Sequence, residues 1–579
     1  MRKFPFLALP ALAVYALGAL YAAPSGAAAP TETATLILRG GKVVTLDEKK
    51  PEARAIAIRG ERILAVGTDE EVGTFLGPAT QVIDLKGALA IPGFIDSHAH
   101  FSGIGQVKLG LDLTTAASWD EIVAQVAKAV TWAKPGEWIV GRGWHQEKWK
   151  GAPKPNVEGF PVHDALSKVS PENPVLLTHA SGHAAFANAV AMNAASVTRE
   201  TPNPAGGEIL KDAAGRPTGL FRETAAGLLS KAYAAAREKR KPEEVDKERR
   251  RVLELAAEEC LSKGVTSVHD PGVSFETAEL YRKVAQEGKL GVRLHVMIRE
   301  EPAALAANLA KARTVGFAGN FVTVRAIKVT IDGALGSRGA WLLAPYTDLA
   351  TSTGLNTVTL PDLRETARLA LQHDYQLCVH AIGDRANRET LDVYEEAWKG
   401  RTDGKSLRWR IEHAQHLDPA DIPRFGKLGV LAAMQGIHCT SDAPFVPARL
   451  GAKRSEDGAY VWQKLMKSGA LISNGTDAPV EDVDPIASFH ASVSRKLKNG
   501  SVFYGDQRMS RMEALRSYNV NGAYAAFEEG LKGSLTPGKL ADIAVLSKDI
   551  LTIPEDEIPS ARVVTTIVGG KVSYRAKGR

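Results

Sequence analysis

Pro92-Gly93-Phe94-Ile95-Asp96-Ser97-His98-Ala99-His100 closes an apolar run, and its two histidines decide how the rest of the chain is read. The Pro-Gly turn followed by Phe-Ile-Asp reads as a buried strand whose carboxyl end carries the pair. Residues two apart on a strand share a face, so His98 and His100 would offer two imidazoles to one metal ion. In a parallel α/β barrel, that end of the strands is where active sites are built. The pair alone fits structural histidines equally well. A set of further ligand-type residues, each ending its own strand-like run, gives it weight.

Eight such runs stand at residues 91–98, 265–269, 292–298, 324–331, 376–380, 408–413, 430–434 and 471–475, most separated by helical segments. They imply the α/β class and a (β/α)8 TIM barrel over 91–530. A helix between Pro242 and Gly264 supports the spacing, with Val245, Val252, Ala256 and Cys260 on one stripe. Residues 101–241 are too long for one crossover and are expected as an insertion over the barrel mouth, a lid or substrate wall. Short alternating runs lie at both ends, in 30–90 and 531–579. Hairpins are expected at Gly40-Gly41, at Arg59-Gly60-Glu61 and at Gly569-Gly570. Gly-Gly-Lys-Val occurs twice, at 40–43 and 569–572. Together the two ends suggest one small β-sandwich.

The chain has 579 residues, 44% hydrophobic and 24% charged, with a formal charge of +6. This is ordinary soluble-protein composition, and without an aromatic-interleaved basic stripe nucleic-acid binding is not expected. Residues 1–29 run from Arg2-Lys3 through an apolar stretch to small residues, the order of a signal peptide. Export to the periplasm or medium is therefore expected, with no stable membrane insertion after cleavage; the alternative is an uncleaved N-terminal anchor. Cys260, Cys378 and Cys439 lie far apart and read as buried thiols.

Four more residues carry chemistry. Lys328 shares a strand face with Val324, Ala326 and Thr330, pointing into the barrel, where a lysine is costly unless paired, neutralised or modified. Carboxylated by carbon dioxide, it becomes an anionic ligand able to bridge two metals; otherwise it pairs with Asp332 or faces a substrate anion. His380 and His413 each end a strand. Asp477 follows Leu471-Ile472-Ser473-Asn474-Gly475-Thr476 and serves either as a turn or cap residue or as a metal ligand and proton shuttle.

This constellation resembles the amidohydrolase superfamily over nearly the whole mature chain, and in detail amidohydrolase family 3, the branch that includes N-substituted formamide deformylase. The matching stretches are residues 92–100, 328–340, His380-Ala381-Ile382-Gly383-Asp384, Ile411-Glu412-His413-Ala414, Gly475-Thr476-Asp477-Ala478-Pro479 and the closing Gly533-Ser534-Leu535-Thr536-Pro537-Gly538-Lys539-Leu540-Ala541-Asp542. Two departures are Thr476 where the family usually has serine, and Gly436 where a proline commonly follows Gln435. The resemblance implies one or two divalent metals, zinc foremost, on His98, His100, carboxylated Lys328, His380, His413 and Asp477. It places Trp144, His183, Asp332, Arg338 and His438 at the substrate, Arg338 facing a carbonyl or carboxylate.

The expected reaction is hydrolysis of a non-peptide, amide-type C–N bond in a small molecule through a metal-activated hydroxide, with Asp477 as the catalytic proton carrier. A mononuclear deaminase-type hydrolase with unmodified Lys328 is the alternative, as is an isomerase or lyase on the same scaffold. An exported, non-catalytic binding protein is a third reading that the intact ligand set disfavours. A homodimer is compatible with all of them.

Overall fold

The computed structural model describes residues 32–577, so the expected signal segment lies outside the described residues. Eight parallel strands follow one another round a barrel in chain order: β1 (Phe94–Asp96), β2 (Val265–Val273), β3 (Arg293–Ile298), β4 (Val322–Thr330), β5 (Gln376–Ala381), β6 (Arg410–His413), β7 (Leu431–Gln435) and β8 (Ile472–Gly475). The ring is nearly closed. Between β8 and β1 the seam is held by the Ser97 amide donating to the Asn474 carbonyl at 3.0 Å and the Asp477 amide to the His98 carbonyl at 2.7 Å.

Alternation along β4 shows why the chain takes this form. Ile327, Val329 and Ile331 join the main apolar core under the surrounding helices, while Ala326 meets Met297 and Cys378 in the barrel interior. Lys328 is buried two residues on from Ala326, where strand periodicity keeps it on the interior face. All three cysteines are free and buried.

The barrel begins later than its sequence suggests. The apolar run splits at Gly93: Leu89–Pro92 pairs with Ile543–Leu546 outside the barrel, and only Phe94–Asp96 joins β2. A side chain at Gly93 would collide with Thr266, so the backbone passes closest to the barrel at its one residue without a Cβ. β1 then stops at Asp96, whose carboxylate accepts from the His98 amide at 3.1 Å and from the Thr476 amide and hydroxyl at 3.0 and 2.6 Å. His98 therefore sits in a bend and His100 at the N-cap of α1 (Phe101–Val107), not on a strand.

Two sheets are built from the chain's two ends. One holds Leu36–Arg39, Ala55–Arg59, Arg62–Gly67 and Gln81–Asp84; the other pairs Lys42–Val44, Glu52–Ala53 and Leu89–Pro92 with Ile543–Leu546, Val563–Val568 and Lys571–Arg575. They share a core in which Leu38, Ile56 and Ile58 meet Val43, Ile543 and Ile567. The turns at Gly60 and Gly569-Gly570 are hairpins. Gly40-Gly41 is not: the strands on either side of it enter opposite sheets. Arg293 at the start of β3 ties this unit to the barrel through a buried pair with Asp542, at 2.7 and 3.1 Å, which explains the last residue of the closing motif.

Residues after α1 form a six-stranded mixed sheet over the barrel's carboxyl end, ordered Gly207–Lys211, Pro217–Glu223, Ala184–Ala187, Val175–His179, Ile139–Trp144, Leu111–Asp112. Its faces alternate with period two. Leu177, Phe186 and Leu220 pack with Trp119 and Trp144 on one side, and Leu176, Ala185 and Phe221 with Leu229 on the other. From this sheet the chain leaves through α2 (Ala226–Glu238), then α3 (Pro242–Ser262), β2 and α4 (Phe275–Gln286). α3 buries Val252, Leu253, Ala256, Ala257 and Cys260 at helical spacing, and a side chain at Gly105 of α1 would collide with the Val252 carbonyl. Among the described residues no helix is long and apolar enough to cross a membrane.

Candidate metal centre

Histidines and one carboxylate converge where β1, β5, β6, β7 and β8 end. Donor atoms of His98, His100 and Asp477 lie within 4.8 Å of one another, and so do those of His413, His438 and Asp477. Asp477 joins the groups: its Oδ1 is 3.5 Å from His98 Nε2 and 3.3 Å from His100 Nε2, and its Oδ2 is 3.9 Å from His438 Nε2. His380 stands beside them, its ring 4.4 Å from that of His413, with Nε2 3.4 Å from Asp332 Oδ1. Lys328 lines the same cavity from β4.

Neighbouring polar groups set the tautomers. Glu412 on β6, fully buried and held by Arg410 at 2.7 and 2.9 Å, receives His98 Nδ1. Gln435 at the end of β7 accepts from His413 Nδ1 at 2.8 Å. Both contacts leave the Nε2 lone pair free, the usual carboxylate- or amide-backed form of a metal-ligating histidine. His438 differs. Its Nδ1 accepts from the Gln415 amide at 2.9 Å, so Nε2 carries the proton and offers a donor.

A divalent ion fits these residues. His98 Nε2, His380 Nε2 and Asp477 Oδ1 are buried without any hydrogen-bond partner. Several orphaned polar atoms in one place are costly unless a ligand satisfies them. Burial drives His98 and His380 well below the ordinary imidazole range and His413 down to about 3, which keeps them neutral, as ligands must be. Burial alone would raise Asp477; the close approach of His100 and the surrounding imidazoles hold it well below the usual carboxylate range. Burial brings Lys328 down to about 8, against the opposing pull of Glu412 and Asp477.

Local backbone is shaped for this. His413 and Asp477 have φ of 76° and 57°, conformations that cost a non-glycine residue about 1–3 kcal/mol. Gly475 is required by a close approach of backbone to backbone. A Cβ there would stand 2.5 Å from the His98 amide nitrogen, so glycine lets β8 run against the His98 backbone.

Three residues assigned to substrate are taken up by local partners. Trp144 is fully buried, donates its indole N–H to the Leu177 carbonyl at 2.9 Å and packs among Trp149, Phe160 and Phe186 in the insertion core. Asp332 accepts amides of Ile382, Gly383 and Trp341 at 2.8–3.0 Å, which uses both oxygens to fold the loop after β5. Arg338 is bound to Asp348 at 3.0 Å. Each has a satisfied local partner, which a linear sequence does not reveal. His183 and His438 do face the cavity.

Sequence reasoning missed Glu412, Gln435 and Glu223. Glu412 and Gln435 stand in quoted motifs, and an acid inside a buried strand was the available signal for the first. Glu223 had none: its carboxylate receives His183 Nδ1 at 2.7 Å across 40 residues. Burial alone would lower His183, and the Glu223 carboxylate raises it instead.

Two chambers meet at these donors. A small one of about 120 Å³ is walled by His145, His179, Leu335, His438 and Phe445, and a large one of about 880 Å³ runs out between the insertion and helices α3 and α4. His183, His380, His413 and Asp477 line both.

Imidazoles and a carboxylate gathered at the carboxyl ends of a parallel eight-strand barrel define a class, the metal-dependent hydrolase barrels. The amidohydrolase family model matches residues 81–574, and the chain belongs to that family. It is 34% identical to the Arabidopsis thaliana protein LONG AFTER FAR-RED 3, over 93% of this chain and 92% of the relative. It is 28% identical to N-substituted formamide deformylase of Arthrobacter pascens, over 95% and 100%. An uncharacterized metal-dependent hydrolase from Pyrococcus horikoshii superposes with a TM-score of 0.71 at 25% identity, covering 90% of this chain and 99% of that one.

Proposed function

We propose that this metal-dependent amidohydrolase cleaves a non-peptide, amide-type C–N bond in a small molecule. The observation that carries the reading is the set of buried, unpartnered donors at the junction of two chambers, where the two halves of an amide would separate. Held by His98, His100, His413 and Asp477, with His380 and Lys328 beside them, one or two divalent ions would supply Lewis acidity and an ionised water. Asp477 takes the proton of the attacking water and passes it to the departing nitrogen. His438 Nε2–H donates to the substrate oxygen as charge develops there. The insertion excludes bulk water from above.

Lys328 is proposed to carry a carbamate. Its lowered pKa leaves a fraction of the amine neutral near physiological pH, and the neutral amine adds carbon dioxide with loss of a proton. Labelled bicarbonate should give a carbamate signal by NMR that Lys328→Ala abolishes. A mononuclear centre is the second reading, favoured by the position of His380 outside the two tight donor groups. Metal content per chain decides between them.

Assay of N-formyl, N-acyl and cyclic amides with metal-loaded enzyme should release amine and carboxylate. Binding without turnover across that range would leave a binding protein instead. We propose export as well, on the order of residues 1–29; N-terminal sequencing of protein from the producing cell tests it, and a start at Met1 in a membrane fraction would favour an anchor.

A further inference from the structure

The large chamber carries charge that neither the fold nor the metal centre uses. Apart from histidine, its cationic lining residues are Arg142, Arg237, Arg249, Arg299 and Lys328. Arg237 is paired with Glu248 at 2.8 Å, and Arg249 with Glu276. Arg142 and Arg299 have no carboxylate within 4.0 Å among the described residues. Arg142 donates from Nε to the Pro479 carbonyl at 3.3 Å and from Nη2 to the Ala180 carbonyl at 3.1 Å, which fixes the guanidinium and leaves Nη1 free. Arg299, one residue beyond β3, is exposed into the chamber.

Room for both side chains is built into the backbone. At Gly182, φ +76°, a Cβ would stand 3.3 Å from Arg142 Nη2; at Gly272, φ +110°, it would stand 3.2 Å from Arg299 Cδ and 3.8 Å from Lys328 Cγ. Each glycine takes a left-handed conformation beside one arginine. Burial pulls Arg142 down to about 10. A desolvated cation without a counter-ion is unfavourable, and an arriving anion would relieve it. Of the chamber's acids, Glu248 pairs with Arg237 and Asp477 belongs to the donor cluster, while Glu223 gives Oε2 to His183 and forms no ion pair with either arginine.

The geometry points to a carboxylate-binding subsite, in which Arg142 from the insertion and Arg299 from the barrel hold the anionic end of the substrate's larger substituent while the amide lies at the donor cluster. Guanidinium groups suit a carboxylate because their parallel N–H bonds match its two oxygens. The substrate class is then an amide with a short acyl group in the small chamber and a carboxylate-bearing amine in the large one. This rests on the amide-hydrolase reading above.

The test compares N-benzylformamide bearing a para-carboxylate with its para-carboxamide twin, using full-length, metal-loaded protein. The carboxylate should have a kcat/KM at least about tenfold higher, the scale of one desolvated charge-assisted contact. Arg299→Gln should raise KM for the carboxylate and bring the twins to parity, and Arg299→Lys should restore part of the preference. Equal kcat/KM in the wild type, or a ratio unchanged by Arg299→Gln, would overturn the subsite. If neither twin is cleaved, calorimetric titration of both still decides. Tighter binding of the carboxylate that Arg299→Gln removes upholds the subsite and leaves only the hydrolytic reading in doubt, and equal binding overturns it.

Discussion

The two chambers that meet at the metal centre are made from different materials. The small one is walled by the segments that follow β4, β5 and β7 together with the His145 and His179 segments of the insertion, and it is crowded by Leu335 and Phe445. The large one lies between separately packed layers, α2 and the insertion sheet on one side and α3 and α4 on the other, and it holds the unpaired arginines. Loops tied to barrel strands leave a tight space of fixed shape. A seam between layers leaves a wide one with charged walls. On the proposed function, the barrel would set the chemistry and the smaller half of the substrate, and the insertion the larger half.

The comparison breaks most completely at the junction. His98→Ala should lose metal by elemental analysis and lose activity on every substrate alike, by about 10⁶-fold or more, the lower end of what enzymes supply. Full metal content in that variant would remove the junction from its proposed place.

Asp542→Ala tests the opposite expectation, that the fold can weaken without changing selectivity. It strands the buried Arg293 and should cost about 3–5 kcal/mol in denaturant unfolding. The ratio of rates on small and large substrates should not move below the transition.

Glu412→Gln keeps the shape at His98 but loses the charge that backs its Nδ1–H. Metal affinity or activity should fall by about 10–100-fold, equally for substrates that fill either chamber.

The chamber walls should give the smallest and most selective effects. Ala334→Leu should discriminate against longer acyl groups, and Ser230→Leu against bulkier amine substituents, each by about tenfold. If both variants penalise the same half of the substrate, the two chambers do not hold separate halves.

Much of the barrel was legible in the sequence because each strand is a short apolar run followed by a polar residue that its position at the barrel mouth requires. All eight runs are strands, with boundaries moved by a few residues. The error at Pro92-Gly93 is instructive. One apolar run serves two sheets, and local pattern cannot show where a chain changes partners. His98 and His100 converge through a bend fixed by Asp96, not through strand alternation. In the site, residues in dense motifs could be read directly, whereas Glu223 and the arginines of the large chamber act across long separations. Trp144 and Arg338 looked functional because their local surroundings resembled a site, and packing gave them other partners.

By itself the sequence determined the periodicities, the order of the elements and the kinds of donor available, since these depend on neighbours along the chain. Tertiary structure alone decided which donors meet, which arginines stay unpaired and how large each chamber is. Gly-Gly-Lys-Val makes the point within one molecule. At Gly569-Gly570 both glycines have positive φ and the chain turns back on itself, but at Gly40-Gly41 only the first does and the strands part into opposite sheets. The residues are identical. A Cβ on Gly41 would stand 2.6 Å from the Leu85 side chain, so what differs is the surface each copy packs against, and packing is settled by residues far away in the chain.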